Sequence, residues 1–228
     1  MAQTVLLKTD FSLDLKRDIV WRYMHTRKTV DSLNDEVDWA IGRVKELAEP
    51  KAGFLRLGVV SIDDKGISLE GGVELESPAL GSFFQGAEVG LLVGFTIGPG
   101  PEEEANELFT RGDMVKGLVL DSAASALAHS IADQVHRDAF VAARREGLRT
   151  GPCLSPGSPY WDLTGQRALF SALRLDKLGM RLLTSCFIYP RKSQTRVIPQ
   201  GRDLVVRSNP DESHCNYCTN KYCLARRE

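Results

Sequence analysis

Three cysteines lie close together near the C-terminal end of the sequence, in the segment Ser213–Cys223. Cys215 and Cys218 are separated by two residues, and Cys223 follows five residues after Cys218. Two thiolates at the first spacing can bind one ion, and a third can reach the same centre after a further turn of the chain. Because thiolates select zinc ions and iron–sulfur clusters, the pattern predicts a metal or iron–sulfur centre bound by these three cysteines.

Both kinds of centre usually have four ligands, and the sequence leaves the fourth ligand open. His214 is a candidate, although its position beside Cys215 makes the geometry awkward. Cys153, Cys186, a partner protein or a substrate are the alternatives. An open fourth position would favour chemistry at the centre over a purely structural role. The competing interpretation is a tail whose thiols are incidental.

A second candidate site is the loop Arg149–Trp161, which is rich in proline and glycine. Prolines fix the backbone, and glycines allow a ligand to approach it closely. Tyr160 and Trp161 add flat aromatic surfaces on which a ligand can stack. The competing interpretation is an ordinary rigid turn that leads into the next helix.

A third candidate is one face of a predicted helix that carries His129, Asp133 and His136. The spacings of four and three residues place all three side chains on the same side of the helix. A metal site could form there, but we favour a solvated or hydrogen-bonded face, because such faces are far more common.

The composition excludes several classes of protein. With 228 residues the chain suits one large domain or two small ones, and its formal net charge of -1 argues against nucleic-acid and anionic-membrane partners. The sequence contains no apolar run long enough to span a bilayer and no signal peptide. Five cysteines, three of them clustered, are not the pattern of a secreted disulfide framework, so we expect a cytoplasmic protein.

Local patterns predict a mixture of helices and strands. Helical periodicity or composition predicts helices over residues 31–47, 102–110, 114–145 and 163–173. Apolar or alternating runs predict strands over residues 54–60, 67–75, 87–97, 182–189 and 197–206. Alanines make the long helix slim enough for close packing, and residues 87–97 have the composition of a buried central strand. Because strands and helices do not alternate strictly, we predict an α+β fold with an antiparallel or mixed sheet flanked by helices.

Several short motifs occur in an order that resembles a known family. They are Thr96-Ile97-Gly98, Gly112-Asp113, Leu118–Ser125, Ser155-Pro156-Gly157 followed by Trp161 and Gln166, Gly179–Ser185, and Pro190–Ser193. Together they resemble the reactivation domain of cobalamin-dependent methionine synthase, in the stand-alone form of short bacterial and archaeal proteins. The resemblance runs from about residue 19 to residue 206. It divides the chain into an activation-domain-like part, residues 1–207, and a cysteine-rich tail, residues 208–228.

The resemblance implies a fold, a ligand and a partner. The fold is a mostly antiparallel α+β domain flanked by helices. In the family, this domain binds S-adenosylmethionine and presents it to the corrinoid, so that reductive methylation rescues a cobalt oxidised to the inactive Co(II) state. The loop Ser155–Gly157 would lie along the ligand groove. The cofactor-binding residues that we predict on this basis are Ser155, Pro156, Gly157, Ser158, Tyr160, His129 and Arg149.

Three positions depart from the family's pattern of ligand contacts. Cys153 and Ser158 stand where the family has an arginine and a tyrosine, and His129 stands where it has a glutamate. An arginine can pair with the ligand's carboxylate through two hydrogen bonds, whereas a cysteine cannot. Arg149 or Tyr160 could compensate from nearby positions. We therefore expect weak or absent binding of S-adenosylmethionine.

Three functions remain open from the sequence. The first is a corrinoid-associated activator or electron-transfer protein that serves a cobalamin-dependent methyltransferase, with the tail holding a redox centre. The second is an S-adenosylmethionine-dependent reactivase with altered ligand residues. The third is a non-catalytic module that binds a small molecule or a tetrapyrrole, with structural zinc in the tail. A low-potential iron–sulfur cluster is suited to reducing Co(II), which favours the first.

Overall fold

The structure is a computed structural model that describes residues 4–24 and 30–205. Its strands are β1 (Leu6–Lys8), β2 (Lys51–Ile62), β3 (Gly66–Leu69), β4 (Val73–Glu76), β5 (Val89–Thr96), β6 (Arg149–Thr150), β7 (Arg181–Leu182), β8 (Ile188–Tyr189) and β9 (Ser193–Gly201). Its helices are α1 (Arg17–Tyr23), α2 (Asn34–Leu47), α3 (Pro78–Phe83), α4 (Gly100–Thr110), α5 (Met114–Arg145) and α6 (Gln166–Leu173). Short 3-10 turns occupy Asp31–Leu33, Leu163–Gly165 and Leu175–Leu178.

The main sheet is antiparallel, with the strand order β4-β3-β2-β5-β9-β6, and β1 pairs with the first part of β2. β5 pairs along its whole length with β2 on one side and with β9 on the other. A register shift in β2 between Val59 and Ser61 bends that strand towards its hairpin partner β3. The short strands β7 and β8 form a separate ladder. The predicted α+β class with an antiparallel sheet flanked by helices is therefore confirmed.

β5 is buried on both of its faces. Leu91, Val93 and Phe95 point to one side, and Leu92 points to the other. Every residue from position 90 to position 96 is buried, so the strand has the continuous apolar sequence expected when both faces are covered. This strand confirms the prediction for residues 87–97.

Helices cover the first face of the sheet and form what we call the first core. In it, α5 packs with α1, α2 and α4 over the side chains of Leu91, Val93 and Phe95. The alanines predicted to make α5 slim are all buried there: Ala123, Ala124, Ala126, Ala128 and Ala132. Small side chains let neighbouring helices approach closely, and so α5 runs unbroken through the middle of the layer.

The other face of the sheet carries what we call the second core. It combines Leu57, Leu92 and Val197 of the sheet with Trp161, the helix α6 and the turn Leu175–Leu178. Leu175 lies directly on β5 at Gly94, where an added Cβ would be 2.5 Å from its Cδ2 atom. A side chain at position 94 would therefore push Leu175, and with it the second core, away from β5.

A partly buried ion pair fixes the chain where it enters β9. Glu102 is 5% exposed, and its carboxylate accepts hydrogen bonds from the backbone N–H of Arg191 at 2.6 Å and from Nε of Arg191 at 2.8 Å. The next residue, Lys192, donates to Ser125 of α5 at 2.7 Å and pairs with Asp121 at 2.9 Å. Glu102 lies in the first turn of α4, and its hydrogen bonds to Arg191 therefore tie this helix to the start of β9.

Some predicted boundaries were wrong. The strand predicted over residues 67–75 is two strands, because Gly71 and Gly72 have positive φ and turn the chain between them. The strand over residues 182–189 is the two-residue pair β7 and β8, joined by a turn. The strand predicted over residues 197–206 is β9, which begins earlier, at Ser193, and ends at Gly201. The sequence patterns missed α1, α3 and β1 because each is short.

The predicted boundary between residues 207 and 208 lies outside the described residues, as does the whole tail. None of the described helices combines the length and the apolar character needed to cross a bilayer.

Replacing Gly94 with Ala should destabilise the protein, because the new methyl group would meet Leu175 in the second core. We expect a loss of about 1–3 kcal/mol in the free energy of unfolding, as for other overpacked cores. Urea unfolding followed by circular dichroism would measure it.

Gly42 provides a matched control, because it lies in α2 with no atom within 4 Å of an added Cβ. The Gly42→Ala variant should be more stable by about 0.5–1 kcal/mol, the helix preference of alanine over glycine. In a Leu175→Ala background the cost of Gly94→Ala should shrink. An equal cost in both backgrounds would show that Leu175 is not the cause.

Candidate functional site

The loop after α5 runs along the outer edge of β9. Beyond β6, the backbone N–H of Gly151 donates to Pro199 at 2.8 Å, and Leu154 exchanges two hydrogen bonds with Val197. The segment 151–154 therefore extends the sheet as an irregular edge. Because neighbouring side chains of extended backbone point to opposite faces, Cys153 enters the first core and Leu154 enters the second.

Cys153 meets a histidine of α5 and an arginine of β9. The thiol is 6% exposed and is hydrogen-bonded to the imidazole of His136. The guanidinium of Arg196 lies close enough to act on the thiol electrostatically. Three separate elements thus contribute one polar side chain each to a cluster, Cys153–His136–Arg196, at the boundary of the first core.

The charges in this cluster favour a thiolate. Burial raises the pKa of Cys153, but the hydrogen bond from His136 and the positive charge of Arg196 outweigh it and hold that pKa below its ordinary value. The same hydrogen bond raises the pKa of His136 against the effect of burial, with a smaller contribution from Asp133. Both pKa shifts act in the direction that favours the thiolate and the protonated imidazole.

Two nitrogen atoms of the cluster have unmet hydrogen-bonding capacity. Nε2 of His136 and Nε of Arg196 are buried and have no hydrogen-bond partner among the described residues. Such unsatisfied buried groups are uncommon in folded proteins and often occur at functional positions. A thiol whose pKa is lowered by its neighbours is converted more readily to the thiolate, which is the form of cysteine that attacks electrophiles and binds soft metal ions.

The predicted ligand loop closes into a compact turn over residues 155–161. The N–H of Gly157 donates to the carbonyl of Trp161 at 2.8 Å, and the N–H of Trp161 donates to Ser158 at 3.1 Å. Gly157 has φ of +83°, which favours glycine at that position. The hydroxyl of Ser158 is buried and has no partner among the described residues. Ser155 and Pro156 are partly exposed at the start of the turn.

The aromatic residues of the loop face the second core rather than Cys153. Trp161 is 1% exposed, and this burial leaves no free face for the stacking that we expected. Tyr160 packs against the ring of Phe83 at 5.3 Å, and its carbonyl accepts a hydrogen bond from Ser77 at 2.6 Å. Arg149 is exposed in β6, opposite Gly201.

The helix face that carries His129, Asp133 and His136 is half-buried. Nε2 of His129 lies 3.7 Å from a carboxylate oxygen of Asp133, and its ring lies 6.2 Å from that of Tyr23. His136, two turns further along α5, is the histidine that reaches Cys153. Among residues 4–24 and 30–205, no group of three or more His, Cys, Asp or Glu residues could hold a metal ion.

The predicted metal ligands Cys215, Cys218 and Cys223 lie outside the described residues. The two other cysteines are buried in separate surroundings. Cys186 is 3% exposed and accepts a hydrogen bond from Nε of Arg167 at 3.2 Å, whereas Cys153 is bonded to His136.

The sequence analysis missed the partnership of Cys153 with His136 and Arg196. One signal was available, because His136 follows His129 by seven residues and therefore shares its helix face. No signal marked Arg196, since β9 was predicted to begin only at the next residue.

Comparisons with known proteins support the fold. No protein-family model and no curated protein matches the sequence. Among solved structures, the chain is similar to the MetH reactivation domain in its crystal structure bound to AdoHcy. The TM-score is 0.64 at 14% identity, and the match covers 93% of this chain and 80% of that chain. The family resemblance seen in the sequence is therefore supported at the level of the fold.

We expect Cys153, which iodoacetamide reaches only when the structure opens around the buried thiol, to react at a lower pH than an ordinary cysteine, because its neighbours lower the pKa of the thiol. The His136→Gln variant should react at least about tenfold more slowly, and its rate should rise only at higher pH, because the hydrogen bond that lowers the thiol's pKa is lost. Peptide mapping by mass spectrometry across a pH series would measure both rates.

Cys186 serves as the internal reference in the same digest, because it is also buried. Its alkylation should be unchanged by His136→Gln if the fold is intact. An identical pH profile for Cys153 in both proteins would show that His136 does not stabilise the thiolate.

Proposed function

We propose that this chain is an accessory protein of a cobalamin-dependent methyltransferase, which supports the reductive activation of its corrinoid. The observation that carries the proposal is the likeness of the fold to the MetH reactivation domain over 93% of the chain. The shared order of sequence motifs supports it independently. The partner would be a corrinoid protein or the methyltransferase itself.

The altered ligand contacts favour a role that does not depend on S-adenosylmethionine. At the position where the family has an arginine, this chain has Cys153, and its thiol is committed to His136 in the first core. The aromatic side chains of the same loop turn towards the second core. These differences support the proposal that the fold is kept for binding a partner protein, whereas its contacts with a small molecule have changed.

The tail would supply the electron chemistry in this proposal. Cys215, Cys218 and Cys223 would hold an iron–sulfur cluster, and such a cluster transfers single electrons at potentials low enough to reduce Co(II). These residues lie outside the described part of the chain, so the proposal for the tail depends on their types and spacing alone.

Anaerobically purified protein should be brown and contain iron and sulfide, and the Cys218→Ala variant should lose most of both because one of three thiolate ligands is removed. Absorption spectroscopy with iron, sulfide and zinc analysis would test this. Cys186→Ala is the matched control and should keep the centre, because the buried thiol of Cys186 is already hydrogen-bonded to Arg167; loss of the centre in this variant would instead identify Cys186 as the fourth ligand.

Other outcomes of the metal analysis would contradict the proposal. A colourless protein with one tightly bound zinc ion would favour the third function, a non-catalytic module that binds a small molecule or a tetrapyrrole. A protein that contains neither iron nor zinc and binds no corrinoid would exclude the electron-transfer role.

A specific observation favours the second candidate, an S-adenosylmethionine-dependent reactivase. Arg196 brings a guanidinium to Cys153, the position where the family has its own arginine. Its buried Nε has no partner among the described residues and could donate to a carboxylate. The positive charge that binds the ligand's carboxylate would then come from Arg196 in β9 rather than from an arginine in the loop.

Isothermal titration calorimetry distinguishes the two candidates. We expect S-adenosylmethionine to bind weakly or not at all, because the family's arginine, tyrosine and glutamate are replaced by Cys153, Ser158 and His129. Micromolar affinity that is lost in an Arg196→Gln variant would overturn this and support the reactivase. A methionine synthase without its own reactivation domain, inactivated by oxidation, would then be the partner for a turnover assay.

A further inference from the structure

A cavity of about 400 Å³ lies between the C-terminal half of α5 and the edge of the sheet formed by β1, β2 and β5. Its volume falls in the range of roughly 300–1,000 Å³ that is typical of small-molecule sites. None of the residues of the cluster Cys153–His136–Arg196 lines it. Its apolar walls are formed by Leu6, Phe54, Leu55, Leu91, Ala139, Ala142 and Ala143.

The charged residues that line the cavity are paired with one another. Lys8 binds Asp138 at 2.7 Å, and Arg56 binds Glu146 at 2.6 Å. Two positive and two negative side chains give this lining no net charge. A charged ligand would have to compete with one of these ion pairs, whereas an uncharged ligand would leave both intact.

A buried amide supplies the cavity with a polar contact. Gln200 is 3% exposed, and its one side-chain hydrogen bond among the described residues runs from Nε2 to the carbonyl of Ala139 at a long 3.4 Å. A side-chain amide has two donor hydrogens and an acceptor oxygen, so this single bond leaves capacity unused. A ligand with a donor or an acceptor group could use it.

Leu6 lies at the cavity and is 67% exposed, which is high for a large apolar side chain. A ligand would remove part of this apolar surface from water and gain free energy in proportion to the area covered.

We propose that this cavity is a binding site for a small uncharged molecule with an apolar body and one hydrogen-bonding group, such as an aromatic amine or amide. The apolar walls hold the body, Gln200 binds the polar group, and the paired charges disfavour ionised ligands. This site is independent of the proposed role in corrinoid activation, and either proposal can fail without the other.

Two fluorescent probes with one skeleton test the proposal. N-phenyl-1-naphthylamine is uncharged and carries one N–H donor, whereas 8-anilinonaphthalene-1-sulfonate adds a negative charge to the same rings. We expect saturable binding of the uncharged probe to one site, and at least about tenfold weaker binding of the sulfonate. Equal affinities, or no saturable binding of the uncharged probe, would overturn the proposal.

Two neighbouring substitutions on α5 locate the probe. Ala142 lines the cavity, so the Ala142→Trp variant should fill it and weaken binding by at least about tenfold. Val141 is 43% exposed and does not line the cavity, so Val141→Trp should bind as the unchanged protein does. Circular dichroism would confirm that both variants are folded. Unchanged affinity in a folded Ala142→Trp variant would place the probe elsewhere and overturn the proposal.

Discussion

The burial of β5 on both faces is the constraint on which the rest of the structure depends. One face of the strand carries Leu91, Val93 and Phe95, the other carries Leu92, and each face must pack against another layer to be shielded from water. Burial of apolar surface on both faces is the main favourable contribution that this strand can make to the free energy of folding. The helical layer and the second core are the two covers, and Gly94 lets the second approach the strand closely enough to pack.

The same arrangement creates the candidate site. β9 is held in register along the whole length of β5, and the hydrogen bonds between the buried carboxylate of Glu102 and Arg191 fix the point at which the chain enters it. The loop that pairs with β9 therefore presents Cys153 to the helical layer. The slim, buried face of α5 brings His136 to the same place, where little water remains to screen the charges.

α5 connects two different environments along its length. At His136 it contributes to a polar cluster whose charges favour a thiolate. From Asp138 to Ala143 it forms one wall of an apolar cavity whose charged residues are paired. A long helix that is packed along one face can hold both at fixed separation, because its backbone hydrogen bonds resist bending.

The sequence by itself determined the features that arise from local periodicity. It predicted helix over residues 114–145, the buried strand, and hence the α+β class. The candidate loop was also located, because proline and glycine act on the backbone near them. Only the tertiary structure decided that Cys153 meets His136 and Arg196, and that Trp161 belongs to a core. Those contacts depend on the pairing of strands that are distant in sequence, and no local pattern of residue types encodes that pairing.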